Sequence, residues 1–156
     1  ADKLPRNPPE IIWQWGVCET YRDAEFLSQI VKGTPSLDAY DVLDLEIRAV
    51  DRVWVLLRDS FLPEPVLTRV WERIKSKADV FDTPRRARAL SAVSQREQQH
   101  DFWGAAARMA SAAVKHHDPS RTNVEAVYDQ EYRRQLQIIR EALDAWVLEQ
   151  EATERA

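Results

Sequence analysis

Residues 43–61, LDLEIRAVDRVWVLLRDSF, carry the strongest secondary-structure signal in this 156-residue chain. Apolar side chains recur there at alternating spacings of four and three residues, at Leu43, Ile47, Val50, Trp54, Leu57 and Phe61. Such spacing is typical of one face of an α-helix. Further apolar residues widen this face, which favours a central helix in a globular bundle over a two-stranded coiled coil. We therefore predict one helix over about residues 37–61.

The rest of the chain is predicted to be helical between its prolines. The chain has eight prolines but only three glycines, whereas a sheet protein would use more glycine in its turns. Helix starts are indicated by capping residues at Asn7-Pro8, at Asp82-Thr83-Pro84 and at Thr122-Asn-Val-Glu125. The fold class predicted is all-α, an antiparallel bundle of five or six helices.

One domain is expected from the length of the chain. We place the bundle at residues 10–150, after a flexible arm at residues 1–9 and before a frayed tail at residues 151–156. The single cysteine, Cys18, excludes an intramolecular disulfide framework. No apolar run approaches the roughly 20 residues needed to cross a bilayer, and the chain does not start like a signal peptide. These features predict a cytoplasmic protein with no membrane contact.

The net charge of −4 argues against general nucleic-acid binding, which needs a basic surface. No phosphate-binding glycine loop, dinucleotide fingerprint, nucleophile elbow or zinc-protease motif is present. We therefore predict no cofactor and favour a non-enzymatic protein-protein interaction module over an enzyme.

Residues 94–101, SQREQQHD, interrupt the apolar pattern with eight consecutive polar side chains. The interruption predicts either a solvated stretch of one helix or, as we favour, a break or kink with Asp101 capping a new helix. Within it, Glu97, His100 and Asp101 stand at helical spacing. The Glu-x-x-His pair resembles half of the ligand set of di-iron carboxylate bundles, although the chain holds no second such pair.

A second metal candidate is His117-Asp118. This dipeptide resembles the metal-binding pair of the all-helical HD-type phosphohydrolases. The two resemblances imply an alternative function, a metal-dependent helical enzyme that uses Glu97, His100, His117 and Asp118. The simpler interpretation is a hydrated polar surface around His100, and a histidine that meets the negative end of a helix dipole before an Asp-Pro loop.

Arg85, Arg86 and Arg88 lie at a predicted helix N-terminus, where positive charge is locally unfavourable. They therefore require an anionic partner, which could be a bound anion. The alternative, which we favour, is an intramolecular contact with the acidic residues Asp38, Asp41 and Asp44.

The favoured function is binding of a protein partner, with Trp13 or Trp15 as an exposed anchor. The acidic faces at residues 38–51 and 141–154 would then meet a basic partner. The alanine-rich run at residues 104–113 is expected to form the packed centre of the bundle, or alternatively a homodimer seam. Together with EYRRQL at residues 131–136, it resembles alanine-rich bacterial immunity proteins. That resemblance implies a protein that neutralises a toxin or acts as an antitoxin.

Overall fold

The computed structural model describes residues 4–9, 35–58 and 61–155, and all regular secondary structure within them is helical. Six α-helices and one 3-10 helix follow in order: α1 (Ala39–Leu43), α2 (Ala49–Arg58), α3 (Glu64–Lys75), the 3-10 helix (Ser76–Val80), α4 (Thr83–Gln98), α5 (Phe102–His117) and α6 (Val124–Arg155). The predicted all-α bundle is confirmed. The helix predicted to follow Asn7-Pro8 lies outside the described residues.

Helix α6 forms the centre of the bundle. It packs against α2, α3 and α5, whereas α4 packs chiefly against α5. Its buried apolar side chains recur along one face at helical spacing: Tyr132, Leu136, Ile139, Leu143 and Trp146. Burial of this stripe against three helices orders a helix of 32 residues, because tertiary packing supplies most of the stability of helices in proteins.

The alanine-rich helix α5 lies inside the bundle, and this confirms its predicted central place. Its buried side chains are mostly small: Ala105, Ala106, Met109, Ala110 and Ala113. Small side chains let neighbouring backbones approach closely, and α4, α6 and α2 all pack on this helix. The buried alanines are therefore occupied by contacts within one chain.

The continuous helix predicted over residues 37–61 is wrong. Helix α1 ends at Leu43 and α2 begins at Ala49, so the chain leaves the helix between them. Side chains 43, 45, 47 and 49 are buried while 44, 46 and 48 are exposed, which is an alternation with a period of two. An α-helix cannot bury every second side chain on one face. The Nη1 of Arg52 donates to the carbonyl oxygen of Leu43 (2.8 Å) and so satisfies the end of α1.

The break predicted in residues 94–101 is confirmed. Helix α4 ends at Gln98, and His100 has a positive φ of 56° that no helix can contain. The carboxylate of Asp101 accepts a hydrogen bond from the backbone N–H of Gly104 (2.9 Å) and caps α5. A β-carbon at position 104 would collide with that carboxylate, so the cap requires glycine there.

Both ends of the described chain contact or extend the bundle. Leu4 is buried, and the backbones of Asn7 and Leu37 exchange two hydrogen bonds (2.7 and 2.8 Å). The flexible arm at residues 1–9 stays a prediction. At the other end α6 continues to Arg155, beyond the predicted start of the frayed tail at residue 151.

Candidate anion-binding groove

A concave groove of about 420 Å³ lies between α4 and α5. The short turn at residues 99–101 folds these helices into a hairpin, which brings the start of α4 beside the end of α5. Small residues line the groove, including Ala89, Ala92 and Ala112. Five cationic side chains line it as well: Arg85, Arg88, Arg108, Lys115 and Arg121. The groove therefore combines methyl groups with a strongly positive rim.

The single carboxylate at the groove, Asp118, is occupied by its own loop. It is buried and accepts hydrogen bonds from the backbone N–H groups of Thr122 (3.0 Å) and Asn123 (2.8 Å). Burial opposes ionisation of Asp118, but these hydrogen bonds outweigh it and hold the pKa of its carboxyl below the ordinary value of 3.8. Asp118 is thus charged at neutral pH, and its oxygens are already engaged in holding the start of α6.

Most of the cations at the groove have no counter-ion. Arg85 lies 3.4 Å from the carboxylate of Asp82, the residue that caps α4. Arg88, Arg108, Lys115 and Arg121 are exposed, and none of them forms an ion pair within the described part of the chain. Like charges at close range repel, so four unpaired cations around one cavity favour an anionic occupant.

The three arginines predicted to bind an anion do not all face this groove. Arg85 and Arg88 line it, whereas Arg86 pairs with Asp79 of the 3-10 helix (3.1 Å). Sequence reasoning missed Arg108, Lys115 and Arg121. The spacing of seven residues between Arg108 and Lys115 places them on one face of α5, two turns apart, and this signal was available.

The predicted intramolecular contact of these arginines with Asp38, Asp41 and Asp44 is wrong. Asp38 and Asp41 both lie within ion-pair distance of Arg6 (3.3 and 3.6 Å). Asp44 pairs with Arg140 of α6 (2.7 Å). Arg6 and Arg140 therefore offset part of the negative charge of these three aspartates, and their contact with a basic partner stays a prediction.

The metal-ligand candidates around the α4–α5 turn have other contacts. Glu97 lies 3.5 Å from the ammonium of Lys75. Asp101 caps α5 and pairs with Arg96 (3.0 Å). The exposed ring of His100 rests edge-on against Phe102.

The two residues of the second metal candidate, His117 and Asp118, also make separate contacts. His117 lies in the last turn of α5, and partial desolvation of its ring, together with the charge of Lys77, lowers its pKa. Its neighbour Asp118 holds the loop described above. Across residues 4–9, 35–58 and 61–155, no group of three or more His, Cys, Asp and Glu side chains is arranged to hold a metal ion.

The EYRRQL sequence at residues 131–136 forms a buried polar cluster. Glu131 is only 3% exposed, and its two carboxylate oxygens accept hydrogen bonds from Nε and Nη2 of Arg134 (2.7 and 2.8 Å). Gln135 is fully buried and donates to Glu131 (3.0 Å) and to the carbonyl of Ala106 (3.2 Å). Arg134 also donates to the carbonyl of Ile74 at the end of α3 (3.2 Å). Glu131, Arg134 and Gln135 thus join α3, α5 and α6.

The proposed anchors Trp13 and Trp15 lie outside the described residues. Comparison of the chain with protein-family models, with curated proteins and with solved structures gave no match. No helix among the described residues is both long and apolar enough to span a membrane.

Proposed function

We propose that this protein is a non-enzymatic helical binding module that holds an acidic segment of a protein partner in the groove between α4 and α5. The observation that carries the proposal is the set of four unpaired cations, Arg88, Arg108, Lys115 and Arg121, around one concave surface. Folding does not require this arrangement, since it brings like charges together. An acidic partner would neutralise them.

The distribution of charge favours a chain segment over a single small anion. Arg108 and Lys115 are seven residues apart on α5, which is about 10 Å along its axis. Carboxylates spaced along an amphipathic helix can meet cations at such intervals. Alanine methyl groups between the cations, such as Ala89 and Ala112, can pack against the apolar side chains of the same helix.

This proposal changes the expected charge of the partner. The sequence predicted a basic partner for Asp38, Asp41 and Asp44, but these residues already pair with Arg6 and Arg140. An immunity or antitoxin-type role stays a prediction, and on this proposal the neutralised protein would present an acidic segment. Homodimer formation and cytoplasmic location also stay predictions.

The test is a binding titration with a fluorescently labelled helical peptide of glutamate and alanine, followed by anisotropy. We expect binding that weakens as salt is added, because exposed charges are screened. The double variant Arg108→Gln/Lys115→Gln should weaken binding by roughly 100-fold, as two charge-assisted contacts are lost.

The matched control is Arg69→Gln/Arg73→Gln on α3, which changes the net charge equally but removes arginines already paired with Glu149 and Glu141. It should bind the peptide like the unaltered protein. Equal weakening in both double variants would contradict a groove-specific site. Tighter binding of a single-stranded oligonucleotide than of the peptide would replace the acidic partner with a nucleic acid.

A further inference from the structure

Three arginines converge on a second pocket, which lies between the end of α1, helix α2 and helix α6. Arg52, Arg133 and Arg140 line this pocket of about 270 Å³, together with Leu43 and Leu136. It is built from different helices than the α4–α5 groove and shares no lining residue with it. We call it the arginine pocket.

The charges of the arginine pocket do not balance. Arg133 pairs with Asp129 (2.6 Å), and Arg140 pairs with Asp44 (2.7 Å). Arg52 forms no ion pair within the described residues, and its Nη1 donates to the carbonyl of Leu43. Three guanidinium groups thus face two carboxylates, which leaves one positive charge without a counter-ion.

The guanidinium that forms no ion pair within the described residues is that of Arg52, and its partial burial disfavours the charged form. The Nε of Arg52 is buried and has no hydrogen-bond partner, although a buried donor without a partner costs free energy. Burial, and then the neighbouring charge of Arg133, lower the pKa of Arg52. Arg52 is therefore a partly buried cation on the wall of an open pocket, where the repulsion of Arg133 and Arg140 is opposed in part by the charges of Asp129 and Asp44.

We propose that the arginine pocket binds one small oxyanion, a carboxylate or a phosphate, which supplies the missing counter-charge to Arg52. The volume of about 270 Å³ leaves room for such an anion and is smaller than the roughly 300–1,000 Å³ typical of sites for drug-sized ligands. Guanidinium groups present paired N–H donors that match the oxygens of carboxylate and phosphate. Asp44 and Asp129 limit the excess charge to one, so the pocket suits one small anion of low charge better than a polyanion.

The experiment follows anion binding to the full chain by isothermal titration calorimetry, using sodium phosphate and sodium acetate against sodium chloride at equal ionic strength. It is performed in the Arg108→Gln/Lys115→Gln background, so that the α4–α5 groove contributes little. Saturable binding of phosphate or acetate supports the proposal, and the better ligand of the two identifies the source of the oxyanion. Absence of binding by both anions would overturn it.

Two further variants separate this site from general attraction of anions. Arg133→Gln should weaken binding by roughly tenfold. Because Arg133 and its ion-pair partner Asp129 are both exposed, this variant should fold like its parent. Asp44→Asn should strengthen binding by a similar factor, because the excess charge rises from one to two. An unchanged affinity in both variants would contradict the proposal. Arg69→Gln removes an arginine that pairs with Glu149 and does not line the pocket, so this control should bind like its parent.

Discussion

The EYRRQL cluster of α6 and the groove between α4 and α5 differ in whether their positively charged side chains form ion pairs. In the cluster, both oxygens of the buried Glu131 accept from Arg134, and Gln135 donates to the same carboxylate. At the groove, the exposed cations Arg88 and Arg108 form no ion pair within the described residues. Both regions contact α5, but their charged side chains differ in burial and in ion pairing.

The difference shows which charges the fold needs. A buried ion must be paired, because its desolvation costs several kcal/mol, so the cluster reflects the requirements of folding. An exposed cation needs no partner in order to fold. When several such cations surround one cavity, folding supplies no reason for their arrangement, and binding does.

The largest expected effect comes from breaking the buried cluster. Glu131→Ala should lower the free energy of unfolding by about 3–5 kcal/mol, because it leaves Arg134 and Gln135 without their shared acceptor. Urea denaturation at pH 7 measures this loss. The control Glu141→Ala removes a carboxylate from an exposed pair with Arg73 and should cost about 1 kcal/mol or less. Equal losses in both variants would show that burial does not distinguish them.

Local capping signals predicted much of this fold. Asp82 before Thr83-Pro84 starts α4, and its side chain accepts from the backbone N–H of Arg85 as a capping residue should. The polar run at residues 94–101 ends one helix and starts another. These features depend on residues that are close in sequence, so they can be predicted from the sequence alone.

The errors arose where tertiary contacts override a local pattern. The heptad spacing from Leu43 to Phe61 is real, but Leu45 is also buried, and in a straight helix it would lie about 200° from Leu43, on the opposite face. The contact from Arg52 to the carbonyl of Leu43 then stabilises the helix end, and no sequence rule predicts that pairing.

For the same reason, only some residues of the candidate site could be predicted from the sequence. Arg85 and Arg88 stand out in the sequence because they crowd a helix start. Arg108 and Lys115 become relevant only because the turn at residues 99–101 folds α5 back along α4. Arg121 lines the groove from a loop, where it adopts a positive φ of 60° that the sequence does not predict.

A smaller effect is expected at Asp118, the carboxylate that borders the groove but is held by its own loop. Its folded-state pKa lies below the ordinary value, so its contribution to stability is present above about pH 4 and is lost as the pH falls through the folded pKa. Asp118→Ala should therefore be less stable than the unaltered protein at pH 7. The difference should shrink below about pH 4.

Urea denaturation of both proteins between pH 7 and pH 2 measures this dependence. A stability difference that stays constant down to pH 2 would show that the Asp118 carboxylate does not carry it. The variant Glu125→Ala, which removes an exposed carboxylate early in α6, is the control and should show no comparable convergence.

The smallest expected effect is at the unpaired cations themselves. Arg108→Gln and Arg88→Gln should each change the free energy of unfolding by about 0.5 kcal/mol or less, since exposed side chains without partners contribute little. Any change should be a gain in stability at low salt, because each substitution relieves repulsion within the groove. Urea denaturation at two salt concentrations measures both its size and its sign. A loss above about 1 kcal/mol would mean that the fold itself requires these cations, and the α4–α5 groove would then be as structural as the Glu131 cluster.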